Sequence, residues 1–294
     1  MDKVCPREKA VGLKKGPVDF FLLLLFMFCF ALFSSCVSHL REAKLHYTQG
    51  QKYSRLYQTE DALGSFKRAL EEAEHEVSKR PSSQAYMLKG MTELKLKLWQ
   101  DAEESFRLAH SHGFEKGEEW AQQVSLLGLA LSLEELWVED SSLRIYIFLI
   151  EKSKFSPVTI LAAQRYTDAM LKKAIHQEGK EREKLLASVL KTAQKLSDED
   201  LSCGFYHYLR SQILSHLADY GKSFESALMA KELGLPTEEI LRDNDLQIVY
   251  CYQRLKEELS SKEWEDFREK YMEWVKKWKW KGPEAPSWQK ERQG

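Results

Sequence analysis

The sequence predicts an all-α chain of antiparallel helix hairpins stacked into a solenoid. Three observations point there. A pattern of small and aromatic residues recurs at a fixed interval of 40 residues, and helix start and stop signals follow one another from residue 41 to 281. With 7 prolines and 14 glycines in 294 residues, the chain also has too few turn formers for a many-stranded β fold.

The interval can be read directly. Gly50, Ala62, Phe66 and Ala69 return as Gly90, Ala102, Phe106 and Ala109, and more loosely as Ala130, Ser142, Tyr146 and Leu149. Gaps of twelve, four and three separate the positions each time. The gap of twelve crosses from one helix to the next, and the shorter gaps put small and aromatic side chains on one helical face. Small residues let two helices approach closely, and the aromatic fills the space they leave.

The order small, small, large aromatic, small, with Tyr53 three residues after Gly50, resembles the tetratricopeptide repeat (TPR). That resemblance implies a right-handed TPR-like solenoid with C-terminal capping helices, which binds partners along a concave face. It covers 40–150 through the repeat itself and the rest by helical periodicity. The interval of 40 exceeds the family's usual spacing of about 34 because the second helix of each hairpin runs on.

Residues 1–19 carry five basic residues against three acidic ones, and an apolar run, 20–33, follows and closes with Ser34, Ser35 and Cys36. Fourteen apolar residues in a helix span about 21 Å, short of the roughly 30 Å hydrocarbon core, which suits a signal peptide over 1–35. Two small residues before a cysteine resemble a bacterial lipobox, in which Cys36 is lipidated and becomes the first mature residue. The departure from that pattern is Phe33 where leucine is usual, with Leu32 one place early. The other reading is an uncleaved anchor over 18–37. Both readings place the body outside the cytoplasmic membrane, since the positive charges precede the apolar run. With Val37 after the cysteine and no aspartate, the resemblance implies the outer membrane, facing the periplasm. Cleavage would leave Cys203 and Cys251 as the remaining thiols, able to pair or to sit buried.

Helices are expected over 41–55, then 59–77 with Thr59 as N-cap and Glu60 and Asp61 in its first turn. Spans 82–98 and 100–110, closed by Gly113, form the second hairpin, and 118–136 with 141–152 the third. These three hairpins make a domain over 36–153. Ser156 with Pro157 restarts the chain as N-cap and first helical residue. Beyond it the repeat match fails, because Arg182 stands where a small residue belongs. Two degenerate hairpins follow over 154–236, at 157–176 with 180–196 and at 202–218 with 221–233. Capping helices occupy 237–281, where Ser260 and Glu263 have capping-box spacing, and 282–294 reads as a flexible tail.

Five of the eight tryptophans fall between Trp264 and Trp288. Trp264, Phe267, Tyr271, Trp274 and Trp278 form one stripe on the final helix, which would seal the open end of the array. Trp280 lies off that stripe and is expected to be exposed. A membrane-surface contact and a partner hot spot are the alternatives for this segment.

Signals for chemistry are weak. The 44 basic and 45 acidic residues balance, so no basic excess points to nucleic acid. No nucleophile elbow, metal-protease motif, phosphate loop or dinucleotide fingerprint is present. The histidines lack metal-ligand spacing, so no cofactor or metal is expected. Carrying over the family's positions, Lys44, Tyr47, Gln51 and Ser54 would line the concave face of the first repeat, and Gln84, Met87, Met91 and Leu94 that of the second. Met87 and Met91 equally suit a core. Asn244, the sole asparagine, cannot supply the paired asparagines with which relatives of that family hold a C-terminal carboxylate.

These readings converge on a non-enzymatic scaffold, anchored to the membrane through Cys36, that holds envelope proteins. The alternative is a periplasmic carrier or sensor taking a small apolar ligand or peptide near Met87, Met91 and Leu94. A closed pocket between hairpins favours the carrier, and an open groove favours the scaffold.

Overall fold

The computed structural model describes residues 38–284. The apolar run 20–33, Cys5, Cys29, Cys36 and Trp288 lie outside them. All regular structure among the described residues is helical: α1 (His39–Arg55), α2 (Thr59–Lys79), α3 (Ser83–Lys95), α4 (Trp99–His112), α5 (Glu119–Glu135), α6 (Glu139–Lys152), α7 (Ser156–Ile175), α8 (Gly179–Glu199), α9 (Gly204–His216), α10 (Tyr220–Leu233), α11 (Glu238–Glu258) and α12 (Ser261–Trp278). Consecutive helices pair as TPR-like antiparallel hairpins. None of them is long and apolar enough to cross a membrane.

The chain divides into two compact units, one ending at Gly113 and the other beginning at Phe114. The division falls inside the span 36–153 that the repeat marks as one array. At the division the link from Gly113 to Gly117 is non-helical, and both glycines hold positive φ, 73° and 98°.

In the first unit, α1 packs on α2, α3 on α4, and α2 and α1 both meet α3. The repeat positions meet inside each hairpin. A methyl added at Gly50 would stand 2.6 Å from Phe66 Cε1, and one at Gly90 would stand 3.0 Å from Phe106 Cε1. Ala62, Ala69, Ala102 and Ala109 are buried beside them. Gly64, on the solvent side of α2, meets nothing. Alanine in a helix interior gains about 0.5–1 kcal/mol over glycine, whereas overpacking costs about 1–3 kcal/mol. Gly64→Ala will therefore raise the denaturant midpoint and Gly50→Ala will lower it. A stabilised Gly50→Ala would show that the Phe66 ring does not lock the pair.

In the second unit, α5 with α6, α7 with α8 and α9 with α10 pair in turn, and the first helices contact one another from α5 to α7 to α9 to α11. The repeat continues at its start, where Ala130 and Tyr146 are both fully buried. One core runs from Leu127 to Ala230, and a second, rich in aromatics, from Tyr220 to Trp280. At Gly204 the start of α9 rests on the end of α10, so closely that a Cβ would lie 2.3 Å from the Gly234 carbonyl oxygen.

Helix ends depart from expectation in physically clear ways. Thr59 opens α2, and Gln58 takes the cap position without a side-chain bond, its carbonyl already accepting from Ala62 N at 3.0 Å. Phe155 holds the cap position of α7, with Ser156 as its first residue. The α9 cap is Cys203, one residue past Ser202, which bonds back to Asp200. Ser82, Thr237 and the Ser260/Glu263 box do cap their helices. The hairpin turns use left-handed residues that are not glycine: Tyr57, Lys97 and Trp137, with φ 58°, 61° and 62°. At each, the next residue's N–H bonds back to a carbonyl five residues earlier, as in Gln58 N to Tyr53 O.

The C-terminal segment differs most. Trp280 is buried at 9% exposure, and Trp278, on the predicted stripe, is 42% exposed. Residues 282–284 are held too: the Pro283 carbonyl accepts from Tyr271 Oη at 2.8 Å, and Glu284 accepts from Tyr252 Oη and Arg268 Nε at 2.5 and 2.6 Å.

Candidate functional site

The surface expected to bind in the first unit is partly withdrawn into its core. Tyr47 is 8% exposed with its ring 5.6 Å from Phe66, and Met87 is 5% exposed. Both are buried, Tyr47 within the core that α1 shares with α2, so neither presents its side chain to an open groove. Burial raises the Tyr47 hydroxyl's pKa, against a hydrogen bond with Gln51 that lowers it. Gln51, Met91 and Leu94 keep partial exposure. Gln51 lines an open cleft of about 280 Å³ with Thr48, Lys52, Arg55 and Leu56. Lys44 Nζ donates to Gln84 Oε1 at 3.3 Å, tying the exposed edges of α1 and α3.

Sequence reading missed Glu93, which is 2% exposed and paired with Lys89 at 2.7 Å. Burial raises its carboxyl pKa, and the bond to Lys89 opposes that. A carboxylate on the buried face of α3 was the signal available. Its neighbours are lysine and serine, which makes it a structural pair.

The second unit holds a different arrangement. An open cleft of about 440 Å³ is lined by Arg182 of α8, Ser215, His216 and Ala218 at the α9–α10 turn, Tyr220 of α10, and Gln247 and Tyr250 of α11. Arg182 Nη2 donates to the His216 carbonyl at 3.0 Å. Burial first, and the Arg182 charge second, depress the His216 pKa, so the imidazole is neutral at pH 7. The Tyr220 and Tyr250 rings meet edge-on at 5.8 Å. Gln247 Nε2 donates to Ser223 Oγ at 3.2 Å, and Ser223 Oγ donates to the Ser211 carbonyl at 2.7 Å, so a buried polar cluster backs the cleft.

Further along the first-helix face, Glu134 accepts from Tyr146 Oη at 2.6 Å and from Arg165 Nη1 at 3.4 Å. Burial raises the pKa of neighbouring Asp168. Asn244 is buried, donating to the Ala227 carbonyl at 2.9 Å. Cys203 and Cys251 are free thiols. Burial raises the pKa of both, so neither is a ready thiolate nucleophile. Among the described residues no group of three or more His, Cys, Asp or Glu is placed to hold a metal ion. The geometry suits recognition: open clefts, oriented polar groups and aromatic walls.

No protein-family model matches the chain, and no curated protein matches it. Among solved structures it is similar to YrrB, described as a TPR protein with an unusual peptide-binding site, at 16% identity over 67% of this chain and 89% of that one, with a TM-score of 0.39. It is also similar to pilF of Pseudomonas aeruginosa, at 13% identity over 79% of this chain and 99% of that one, with a TM-score of 0.46.

Proposed function

We propose that this chain is a non-enzymatic scaffold that docks partner proteins in the bacterial envelope, tethered through a lipid on Cys36 and facing the periplasm from the outer membrane. The observation that carries the docking role is the combination of stacked hairpins with open clefts lined largely by polar side chains in each unit. A carrier of small apolar molecules needs an enclosed apolar pocket, and neither of these clefts is enclosed. The tether rests on the sequence: a short apolar run after basic residues, ending in Ser34, Ser35 and Cys36. Several acyl chains on one residue exceed the two signals needed for stable anchoring.

Two measurements test this reading. Metabolic labelling with an alkynyl fatty acid should mark the wild-type chain and leave Cys36→Ser unmarked, and equal labelling of both would reject the lipoprotein. Affinity purification of the full chain from solubilised envelopes should return a stoichiometric protein partner. Small molecules co-purifying with no protein would move the assignment to the carrier.

A further inference from the structure

We propose that the cleft between the start of α8, the α9–α10 turn and the middle of α11 receives an acidic peptide segment, its carboxylate on Arg182 and the adjoining side chain against Tyr220 and Tyr250. The inference rests on the scaffold reading and gives it a site and a partner chemistry.

Arg182 is the residue that breaks the repeat, standing where a small side chain belongs. Three arginines of this unit are paired with carboxylates within the fold, whereas Arg144, like Arg182, bonds to a backbone carbonyl. Arg165 meets Glu134, Arg254 meets Glu257 and Glu258, and Arg268 meets Glu284. Arg182 bonds instead to a neutral carbonyl, and among the described residues no carboxylate stands within ion-pair distance of it. No aspartate or glutamate lines the cleft, and Arg182 is the one charged side chain among its lining residues; the Arg254 guanidinium, 5.2 Å from the centroid of the Tyr220 ring, is already paired with Glu257 and Glu258. A guanidinium matches a carboxylate in a two-point fork. A phosphate carries nearly twice the charge and calls for a cluster of cations, which is why we assign the carboxylate.

The rest of the cleft suits a peptide. Tyr250 is 45% exposed and, with Tyr220, makes an aromatic wall for an apolar neighbour of the acid. Gln247, oriented by Ser223 and Cys251, and the Ser215 hydroxyl offer bonds to a peptide backbone. A volume of about 440 Å³ accommodates a few residues. The site joins the start of a second helix, α8, to a hairpin turn and to the middle of a first helix, α11, and uses none of the first-unit residues where binding was expected.

The test pans the detergent-solubilised full chain against phage-displayed random heptapeptides and remakes the enriched sequences as fluorescein-labelled peptides for anisotropy. The selected peptides should share an aspartate or glutamate. Changing that acid to its amide should weaken binding about tenfold or more, the usual loss when one side of a charged hydrogen bond is removed. Arg182→Gln should lose the same factor and then be indifferent to the amide peptide, and Arg182→Lys should recover part of it. Tyr250→Ala, at an exposed rim position, should weaken binding several-fold with an unchanged thermal melt, and it decides the matter if Arg182→Gln fails to fold. Peptides without an acid, or equal binding to wild type and Arg182→Gln, would overturn the proposal. So would Arg182-dependent binding of succinate with no peptide selected. If no acidic peptide is selected while an envelope partner still co-purifies with Arg182→Gln, the cleft assignment falls and the scaffold reading stands. If no partner co-purifies with the wild type, both fall.

Discussion

Phe106→Ala will lower the stability of the first unit by about 3–5 kcal/mol, the range for deleting a buried ring that its surroundings cannot refill. Phe106 is fully buried, and its ring lies against Gly90 so closely that a Cβ there would sit 3.0–3.1 Å from three ring carbons. Ala102 and Ala109, the neighbours on its own helix, are too small to collapse into the space. Denaturant melts of the wild type and variant give the size of the loss, and hydrogen exchange should place it in α3 and α4. A double-mutant cycle gives a sharper result. Gly90→Ala alone should destabilise, since it drives a methyl into the ring. Combined with Phe106→Leu, the same methyl occupies vacated space, and the pair should be more stable than the sum of the single changes by about 1 kcal/mol. Additive effects, or a loss below about 1 kcal/mol for Phe106→Ala, would mean that glycine and ring are not interlocked.

That interlock was legible in the sequence because a glycine and a phenylalanine sixteen residues apart, repeated forty residues on, have few other meanings. Helix limits were legible wherever a residue type has one local use, as at the Ser260/Glu263 box or Gly113. The turns at Tyr57, Lys97 and Trp137 were not. Left-handed backbone usually calls for glycine, and here the hairpin imposes it on tyrosine, lysine and tryptophan. Helical periodicity identified the faces that carry Tyr47 and Met87, but it could not say that the neighbouring helix would cover them. Of the residues lining the second-unit cleft only Arg182 stood out in the sequence, as the misfit at which the repeat match fails. Its other walls come from α9, α10 and α11, and no spacing rule joins residues 182, 216, 220 and 250. The division after Gly113 was hidden because the interval of 40 continues across it.

Trp280→Ala will cost the second unit about 3–5 kcal/mol, while Trp278→Ala, two residues away, will cost about 1 kcal/mol or less. Lys279 is the reason the two differ. It ends α12 in the left-handed region at φ 49°, turning the chain so that Trp280 swings under the helix while Trp278 stays outside. Trp280 Nε1 donates to Tyr271 Oη at 3.1 Å, its ring meets Trp274 edge-on at 5.7 Å, and the Lys231 ammonium lies 4.2 Å from its centroid. Removing it opens a void beside Tyr271, the 1% exposed ring onto which Tyr252, Phe224 and Phe267 pack. Trp278 gives up one hydrogen bond to Glu232, at 2.7 Å, that water can replace. Gly282→Ala provides the control: its Cβ would fall 1.8 Å from Trp280 Nε1, so the variant must expel the ring and should destabilise in the same direction without deleting it. Thermal melts followed by near-UV circular dichroism will register the loss of this aromatic cluster. Equal costs for Trp278→Ala and Trp280→Ala would instead put Trp280 on the surface, which its place off the α12 stripe would suggest from sequence alone.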